Sequence, residues 1–552
     1  MNKIILSIAA TDPSNGAGIT ADLQTIRNFG CQGMGAITAV TAQNTKHVYS
    51  VNAVKKKVFS DQLNALLSDS FNIDAVKIGL IPNKKILKEI VAFIKCLRGI
   101  NDELYVVLDP VLGSTSGDSL IDYDISYLTK KLLPLVDVIT PNIHEAQRLF
   151  GTQIDFSSMD GFKSSMQSIA LKCFNCGVKA ILIKGGHLDD YVLGNGLSRT
   201  VVIDTLILQN ELASPYYFLS LKKKFKKGAS DVHGTGCILA SGLASMLAKG
   251  HTVLDSYAFV KAYINQGIEE SYLLGEEQRH FMHRPYESDI RFFPCMAKTF
   301  EEIEAFSFNK DDDGFDKCPE KLGLYPVVDS SNWILKLCKA GVKTMQLRIK
   351  TYKDEKFLRS EIKKAVEYGN KYNARVFIDD FWELALEYKA YGVHLGQSDL
   401  DSADLKLLKL HGIRLGISTH GYGEIARALL VKPSYVALGH IFPTNSKVMP
   451  SAPQGVLRLK YYVKLLQGYY PTVAIGGIKL ENLNNVMESE VGSIAVITAI
   501  TQAENVDETI KIWLEAVEGK KEQIDAVTND ETIINSVSKQ EDNTTEENKD
   551  EQ

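Results

Sequence analysis

The chain has 552 residues, of which 45% are hydrophobic and 23% are charged, and its formal net charge is −5 at pH 7. This length exceeds a single hydrophobic core and indicates about three to four domains. No uncharged apolar run reaches the roughly 18 residues of a membrane span, and no large basic field is present, so neither a membrane protein nor a nucleic-acid-binding protein is expected.

The first half alternates short apolar strands with helical patterns, which predicts an α/β domain with a central, largely parallel sheet. The expected strands are 4–9, 36–42, 75–79, 105–111, 136–140 and 180–184. The carboxyl ends of parallel strands share one edge, so Asp109, Asn142, Glu145 and Lys184, which follow these strands, are expected to converge. Two carboxylates and an amide suit Mg²⁺, and a lysine suits a transferring phosphate. Helix capping or a surface charge is the alternative for each residue alone.

The segment 228–250 (GASDVHGTGCILASGLASMLAKG) joins a small-residue turn to an Ala/Ser-rich helix. A glycine turn that opens into a helix leaves backbone N–H groups free for an anion, so Gly234, Thr235 and Gly236 are predicted to form an anion hole. Cys237 follows at the helix N-terminus, where a lowered thiol pKa would permit proton abstraction. For the glycines the alternative is a helix that simply starts after a tight turn, and for Cys237 it is a small packing residue at a crowded helix start.

Six motifs stand in order over residues 3–270: ATDPSNGAGITADLQT, TAVTAQNT, VLDPVLGSTSGD, TPNIHEA, LIKGGH and HGTGC. Together they resemble hydroxymethylpyrimidine/phosphomethylpyrimidine kinase of thiamine biosynthesis, and the resemblance implies a ribokinase-like αβα fold, ATP as phosphoryl donor, Mg²⁺ and a possible homodimer through this domain. By the same resemblance Gln43 binds the aminopyrimidine, with Asp22 and Gly18 nearby. Asp109, Asn142 and Glu145 organise Mg²⁺ and phosphates, Lys184 neutralises the γ-phosphate, and Cys237 is the candidate catalytic base.

From residue 275 to 321 the strand–helix rhythm is lost, and this segment is interpreted as an ordered connector ending in a polar, flexible link. Residues 519–552 hold ten acidic residues against four lysines and few large apolar residues, which predicts a disordered acidic tail. The apolar N-terminus passes into Asp12-Pro13 without a cleavage region and is interpreted as the first buried strand of a cytoplasmic protein.

Eight short apolar runs follow, each succeeded by a helical pattern: 324–328, 344–349, 375–378, 392–395, 415–418, 435–438, 472–475 and 493–497. Eight βα units in this length predict a compact (β/α)8 TIM barrel with its functional residues at the carboxyl ends of the strands. This rim would carry acidic residues that suit Mg²⁺, a basic pair that suits diphosphate, and glycine loops after the last strands. Together these features indicate a site that handles diphosphate. Structural salt bridges are the alternative for any single residue.

The motifs QLRIK, FIDDFWELAL, GVHLGQSDL, LGIST, GHIFPTNSKVMPSAPQG and AIGGI resemble thiamine-phosphate synthase over residues 322–515. The resemblance implies coupling of hydroxymethylpyrimidine diphosphate to thiazole phosphate. It assigns the pyrimidine diphosphate to Gln346, Arg348, Lys350, Asp379, Ser418 and Lys447; the thiazole phosphate to Thr444, Ser446, Gly477, Ile497 and Thr498; and the metal to Asp380 and Asp399. Asp379 stands where many members have Asn, and Ser446 where many have Thr.

These patterns predict a bifunctional cytoplasmic enzyme acting on small molecules, with no nucleic-acid or membrane partner. The expected organisation is a kinase domain (1–274), a connector (275–321), a synthase barrel (322–518) and the tail (519–552). A pyridoxal kinase joined to another phosphate-binding barrel and a non-catalytic ligand-binding regulator are the alternatives.

Overall fold

The structure of the protein is a computed structural model that describes residues 3–44, 47–69, 71–113, 120–186, 201–223, 232–274, 278–308, 313–444 and 452–519; for Gln278, Ser307, Phe308 and Glu518 it describes the backbone alone. The chain forms two compact units that divide after residue 312, with residues 421–431 grouped in the first unit. Among the described residues, no helix combines the length and the apolar character that crossing a membrane requires.

The first unit contains one large sheet, two small hairpins and nine helices in the described residues up to 308. The strands are β1 (Ile4–Ala9), β2 (Gln32–Ile37), β3 (Ala39–Gln43), β4 (Val48–Ala53), β5 (Ala75–Ile78), β6 (Tyr105–Leu108), β7 (Val138–Ile139), β8 (Ala180–Ile183), β9 (Val201–Leu208), β10 (Tyr216–Leu221), β11 (Tyr272–Leu274), β12 (Gln278–His280) and β13 (Cys295–Ala297). The helices are α1 (Gly18–Asn28), α2 (Lys56–Ser68), α3 (Lys84–Ile100), α4 (Ile125–Lys131), α5 (Ile143–Phe150), α6 (Met159–Asn175), α7 (Thr235–Ala248), α8 (Val253–Glu269) and α9 (Phe300–Phe308).

The large sheet has nine strands in the order β13-β10-β9-β8-β7-β6-β5-β1-β2. The six strands from β8 to β2 are parallel to one another, and β9, β10 and β13 pair antiparallel. Every residue of β5 and β8 is buried, as expected for strands covered by helices on both faces. The predicted αβα architecture is confirmed, and six carboxyl strand ends share one edge.

The predicted strand 36–42 is wrong as a single element. The chain forms β2 in the large sheet and then turns away, so that β3 pairs with β4 in a separate hairpin. Thr38 lies at the turning point, fully buried, and its hydroxyl donates to the carbonyl of Leu80 at 2.8 Å. This polar anchor redirects the chain, and the hairpin carries Gln43 away from the sheet.

The predicted connector is folded into the first unit rather than lying between two units. Residues 295–297 form β13, which pairs antiparallel with β10 and ends the large sheet, while β11 and β12 form a hairpin. A three-residue edge strand has too few positions to show an alternating pattern, and pairing across the chain supplies its register. The boundary expected at residue 274 therefore lies inside this unit.

The second unit is a closed barrel of eight parallel strands. These are β14 (Gly323–Val328), β15 (Thr344–Leu347), β16 (Arg375–Asp379), β17 (Gly392–Leu395), β18 (Arg414–Thr419), β19 (Tyr435–Leu438), β20 (Thr472–Ile475) and β21 (Ser493–Val496). The helices along this part of the chain are α10 (Ser331–Lys339), α11 (Glu355–Lys371), α12 (Trp382–Glu387), α13 (Leu405–Leu410), α14 (Tyr422–Val431, grouped with the first unit), α15 (Gly455–Leu466), α16 (Leu480–Met487), α17 (Thr498–Thr501) and α18 (Val506–Glu518).

The barrel interior is filled by side chains. Tyr325, Phe377 and Tyr435 pack with ring centroids 5.1–5.9 Å apart, and Val473 and Ala495 complete the cluster. A filled interior leaves the carboxyl rim as the place where side chains are free to bind ligands. All eight predicted strands are confirmed to within two residues, and the TIM-barrel fold with them.

Candidate active sites

A cavity of about 1600 Å³ lies in the first unit at the carboxyl edge of the parallel strands. Ten of the eleven residues predicted for the kinase site line it: Gly18, Gln43, Asp109, Asn142, Glu145, Lys184, Gly234, Thr235, Gly236 and Cys237. The eleventh, Asp22, lies outside it. Residues more than 200 positions apart in the sequence are thus brought together, because parallel strand ends share one edge.

The two glycine loops of the sequence touch each other in this cavity. Gly234 has φ +81° at the N-terminus of α7, and a Cβ there would lie 1.8 Å from the carbonyl oxygen of Gly16. A Cβ on Gly236 would lie 3.2 Å from Lys184 Nζ and 3.4 Å from Asp109 Oδ2. The described first turn of α7 contains no acidic residue and no side-chain cap, so no side chain of this turn competes for its N–H groups, which are the groups predicted to receive an anion.

A lysine flanked by two acids forms the polar side of the cavity. Lys184 Nζ lies 2.9 Å from Asp109 Oδ1 and 3.8 Å from Glu145 Oε2. Burial alone would lower the pKa of Lys184, but the two carboxylates outweigh burial and raise it. Burial raises the pKa of Glu145. The lysine therefore stays charged beside the anion site.

Asn142 and Glu145 also form a capping box at the start of α5. The Asn142 side chain accepts from the Glu145 N–H at 2.8 Å, and Glu145 Oε2 accepts from the Asn142 N–H at 2.8 Å. Both residues therefore cap the helix, as the alternative proposed, and both also line the cavity. One oxygen of each side chain is used in the cap, so only the remaining polar atoms of Asn142 and Glu145 can contact a ligand.

The expected lowering of the Cys237 pKa is wrong. Burial raises the pKa of this thiol to about 11; Lys77 opposes the rise, and the carboxylates of Asp22 and Asp109 add to it. The position at a helix N-terminus favours the thiolate, but desolvation and two nearby carboxylates disfavour it more strongly. Cys237 is consequently a neutral thiol in this structure.

Asp22 was expected beside the pyrimidine, but the structure places it in a buried network behind the cavity wall. Its carboxylate accepts from Lys77 at 2.7 and 2.8 Å, from Ser7 at 2.6 Å and from Ser241 at 2.8 Å, and all four side chains are fully buried. Lys77, which lines the cavity, is the residue that sequence analysis missed. A single lysine inside the apolar strand AVKI was the available signal.

A second missed group joins the two glycine loops. Asp12 Oδ2 lies 3.2 Å from His233 Nε2 and accepts from the Ala17 N–H at 2.9 Å. Burial would raise the pKa of Asp12, but hydrogen bonds from His233, Ser14 and Gln43 outweigh it and hold that pKa well below its ordinary value. Asp12 is therefore an anion that fixes one loop against the other.

A third missed group supports the strand end that carries Lys184. Asp204 of β9 accepts from the Gly185 N–H at 2.7 Å, from Lys261 Nζ at 2.6 Å and from the Tyr257 hydroxyl. Asp204, Tyr257 and Lys261 are buried, and Lys261 also lines the cavity. No sequence motif links these residues, because their partners lie on three separate elements.

The second candidate site lies at the carboxyl rim of the barrel. The predicted residues follow consecutive strands: Gln346, Arg348 and Lys350 in and after β15, Asp379 and Asp380 at β16, Asp399 after β17, Ser418 in β18, Thr444 after β19, Gly477 after β20, and Ile497 and Thr498 after β21. Ser446 and Lys447 lie outside the described residues. The sequence order of strands is also their order round the barrel, so neighbouring ends are neighbours in space.

Asp379 is the centre of a polar cluster on this rim. Gln346 Nε2 donates to Asp379 Oδ1 at 2.6 Å, and Arg348 Nε and Lys350 Nζ each lie 3.3 Å from Asp379 Oδ2. Burial, with repulsion from Asp380, raises the pKa of Asp379 to about 6 against the attraction of the two cations. Asp379 therefore holds in place three other residues predicted to bind the pyrimidine diphosphate, namely Gln346, Arg348 and Lys350.

Two glycines allow the late loops to pack closely. Gly476 has φ +103° and Gly477 has φ +65°, and a Cβ on Gly477 would lie 2.5 Å from the carbonyl oxygen of Pro443. The loops after β19 and β20 therefore touch through backbone atoms. Such a junction presents N–H groups rather than side chains, which suits a phosphate.

No group of three or more His, Cys, Asp or Glu side chains with metal-binding geometry occurs in the part of the chain that the structure describes. Mg²⁺ commonly takes one or two protein carboxylates and completes its shell with substrate phosphates and water. Asp399 fits such a role, since among the described residues no cation pairs with it and its carboxylate accepts one hydrogen bond, from the Gly396 N–H at 3.2 Å. Asp380 is paired with Lys350.

Both units match known families. Residues 12–282 match the family model described as phosphomethylpyrimidine kinase, and residues 324–500 match that described as thiamine monophosphate synthase. A thiamine-phosphate synthase from Serratia proteamaculans (strain 568) is 53% identical over 207 residues, which are 38% of this chain and 97% of that protein. One from Pectobacterium atrosepticum is 52% identical over 202 residues, 37% of this chain and 94% of that protein.

Solved structures similar to the first unit include a phosphomethylpyrimidine kinase from Clostridium difficile 630. It is 34% identical, with 48% of this chain and all of that chain covered and a TM-score of 0.38. A pyridoxal kinase from Staphylococcus aureus in complex with ADP is 24% identical, with 54% of this chain and all of that chain covered and a TM-score of 0.45. By its matches to the two family models and to the synthase relatives, the chain belongs to the phosphomethylpyrimidine kinase family in its first unit and to the thiamine-phosphate synthase family in its second.

Proposed function

We propose that the chain catalyses consecutive steps in the formation of thiamine phosphate. The first unit phosphorylates 4-amino-5-hydroxymethyl-2-methylpyrimidine and then its monophosphate with ATP. The second unit couples the diphosphate to thiazole phosphate and releases diphosphate. The family matches support each activity. The observation that carries the proposal is the presence of two separate clusters at strand ends: a glycine loop beside Lys184 in the first unit, and Arg348 and Lys350 beside Asp379 on the barrel rim.

In the kinase site, the N–H groups of the loop Gly234–Gly236 receive the transferring phosphoryl group. Lys184 lies beside this loop, held by Asp109, and its charge balances the charge that develops on the phosphoryl oxygens. Asn142 and Glu145 border the same side and orient the phosphates. Gln43, carried into the cavity by the β3–β4 hairpin, binds the aminopyrimidine with Gly18 close by.

Cys237 is proposed to accept the proton of the substrate hydroxyl. The raised pKa of Cys237, about 11, makes the thiolate a minor form, which arises when the thiol loses its proton to water and which the charge of Lys77 favours. This thiolate accepts the proton of the substrate hydroxyl and becomes the neutral thiol again. Phosphoryl transfer proceeds largely by positioning and charge stabilisation, so proton removal is a late event. We expect Cys237→Ala to lower kinase turnover at least tenfold, since a positioned acid or base contributes about 10²–10⁴-fold. Unchanged turnover would remove this role.

Mg²⁺ is proposed for both sites. Asp109 and Glu145 would hold it in the first, and Asp380 and Asp399 in the second, with the remaining positions taken by substrate phosphates and water. When bound, the ion neutralises phosphate charge. Asp109 remains available through Oδ2, since Lys184 contacts Oδ1.

In the synthase site, diphosphate departs from a carbon attached to an electron-rich aminopyrimidine, and the thiazole nitrogen attacks that carbon. Gln346 binds the pyrimidine, while Arg348, Lys350, Ser418 and Lys447 stabilise the departing diphosphate. Thr444, Ser446, Gly477, Ile497 and Thr498 bind the thiazole phosphate. No protein nucleophile is needed, because charge stabilisation drives the departure.

The remaining proposals concern the setting of the enzyme. All eight cysteines are free thiols, which supports a cytoplasmic location. Small molecules are the expected partners, with neither nucleic acid nor membrane, and the first unit is proposed to form a homodimer. Light scattering of the purified chain tests the dimer, and a monomer at micromolar concentration would contradict it.

The proposed function is tested by incubating the full chain with ATP, Mg²⁺, the hydroxymethylpyrimidine and thiazole phosphate. Thiamine phosphate should form. Lys184→Ala should block this synthesis but not synthesis from the pyrimidine diphosphate, because only the first unit is impaired. Lys179→Ala, which removes an exposed lysine from the opposite end of the same strand region, is the matched control. Faster phosphorylation of pyridoxal than of the hydroxymethylpyrimidine would contradict the assignment.

A further inference from the structure

A continuous hydrogen-bonded chain of side chains runs through the barrel interior to the rim. The hydroxyls of Tyr325 and Tyr435 lie 2.8 Å apart, Tyr435 lies 2.7 Å from His394 Nδ1, and His394 Nε2 lies 2.8 Å from Ser418 Oγ. The two tyrosines and the histidine are buried, with 2%, 0% and 6% of their surface exposed. Ser418 is the one member that is only half-buried, and it stands at the rim.

The barrel is built to let this chain form. In the strand register His394 pairs with Gly416, and Gly416 pairs with Tyr435. A Cβ at Gly416 would lie 2.2 Å from the Tyr435 ring, so only glycine leaves room for the ring to cross β18. The Tyr435 and His394 rings then stack at 23° with centroids 5.7 Å apart. Gln397 Nε2 fixes the far end by donating to the Ser418 carbonyl at 2.8 Å.

The direction of the hydrogen bonds follows from counting donors. Among the described residues, the Tyr325 hydroxyl has Tyr435 as its one partner, and a buried O–H without an acceptor costs more than an unused lone pair. Tyr325 therefore donates to Tyr435. The single proton of Tyr435 is then left for His394 Nδ1, so a neutral His394 carries its proton on Nε2 and donates to Ser418 Oγ.

We propose that His394 and Tyr435 are positioning residues that turn the hydroxyl proton of Ser418 outward to the departing diphosphate. The oxygen of Ser418 accepts from His394, so its own O–H has to find an acceptor on the rim side. A preoriented donor stabilises an anion without reorganising when charge develops. The inference rests on the proposed assignment of Ser418 to the diphosphate.

The tautomer is read directly from the full chain labelled with ¹⁵N-histidine. The His394 signals, identified by their loss in His394→Gln, should show an unprotonated Nδ1 and a protonated Nε2. A protonated Nδ1 would reverse the whole chain and overturn the proposal. This measurement needs no turnover, so it is independent of the proposed function.

Coupling kinetics with the pyrimidine diphosphate supplied directly test the consequence. Tyr435→Phe should lower kcat about tenfold, with KM for thiazole phosphate within about twofold, because an interaction made in the transition state is weakened. Tyr325→Phe should lower kcat less, since Tyr435 keeps its acceptor on His394. Tyr391→Phe, which removes a phenol oxygen elsewhere in the same barrel, is the control and should leave kcat unchanged.

The decisive comparison is made in the Ser418→Ala background. There Tyr435→Phe should change kcat less than about twofold, because the hydroxyl that it positions is absent. A full tenfold loss in that background would assign Tyr435 a purely structural role and overturn the proposal, as would full turnover in Ser418→Ala alone. If the wild-type chain forms no thiamine phosphate, the proposed function fails while the tautomer is still measured, so the two failures are distinguishable.

Discussion

The buried pair Asp22–Lys77 gives the sharpest stability prediction. Asp22→Asn keeps the shape of the side chain but removes its charge, and it turns an NH₂ group towards donors that now contact carboxylate oxygens. Lys77 then retains its charge with no exposed surface and no carboxylate partner within this network. Removing one partner of a fully buried ion pair costs about 3–5 kcal/mol, because the remaining charge is uncompensated.

The double variant Asp22→Asn with Lys77→Met separates charge from shape. Replacement of both charges removes the desolvation penalty as well as the attraction, so most of the lost stability should return. We expect the double variant to lie within about 2 kcal/mol of the wild type. Lys77→Met alone should cost less than Asp22→Asn, since two serine hydroxyls still donate to the aspartate.

Urea unfolding followed by two probes assigns the loss to the right unit. The three tryptophans of the chain, Trp333, Trp382 and Trp513, all lie in the second unit, so their fluorescence reports on the barrel, whereas far-UV circular dichroism reports on both units. With an m-value of about 2–3 kcal/mol/M, the first-unit transition should move by about 1–2 M and the tryptophan transition should stay in place. A shift below about 0.3 M, or a double variant no more stable than Asp22→Asn, would refute the reasoning.

Three further predictions concern the anion loop, the barrel rim and pH. Gly234→Ala should lower kinase kcat/KM at least tenfold, because its Cβ would lie 1.8 Å from a carbonyl oxygen of the neighbouring loop. Gly250→Ala is the control: it is also at positive φ, but its Cβ would meet nothing within 4 Å, so it should cost only about 1 kcal/mol of strain and spare activity. Asp380→Ala should abolish coupling and leave the kinase intact, with the exposed Glu367→Ala as control; normal coupling would exclude Asp380 as a metal ligand. Burial lowers the pKa of His283 to about 4, so between pH 6.5 and 4 the unfolded chain binds more protons than the folded chain. The first unit should therefore lose up to about 3 kcal/mol of stability as pH falls through this range. An unchanged loss in His283→Gln would contradict this.

The sequence predicted the elements and the strand ends well. Short apolar runs separated by helical patterns encode burial directly, and a parallel arrangement brings every carboxyl strand end to one edge or rim. Lys184 and Asp109, 75 residues apart, could therefore be placed together before any distance was known. The same reasoning ordered Gln346, Asp379 and Ser418 round the barrel.

Side-chain pairings across elements were not predictable in this way. Lys77 of β5 meets Asp22 of helix α1, and Asp204 of β9 supports Gly185, which follows the antiparallel strand β8. No periodicity specifies which polar group faces which, since that depends on register, on rotamers and on what fills the space between them. Residues 36–42 divide between two sheets at Thr38, whose buried hydroxyl donates to the distant carbonyl of Leu80.

Local sequence therefore determined which residues stand at the anion loop, while tertiary structure decided their chemistry. The turn 233–237 specifies a helix N-terminus with free N–H groups, and this is a property of the backbone alone. The pKa of Cys237 depends instead on burial and on charges from Lys77, Asp22 and Asp109, which three distant segments contribute. Desolvation and Coulomb energies depend on distance in space, so the rise in the Cys237 pKa, opposite to the expected lowering, arises only when the chain folds.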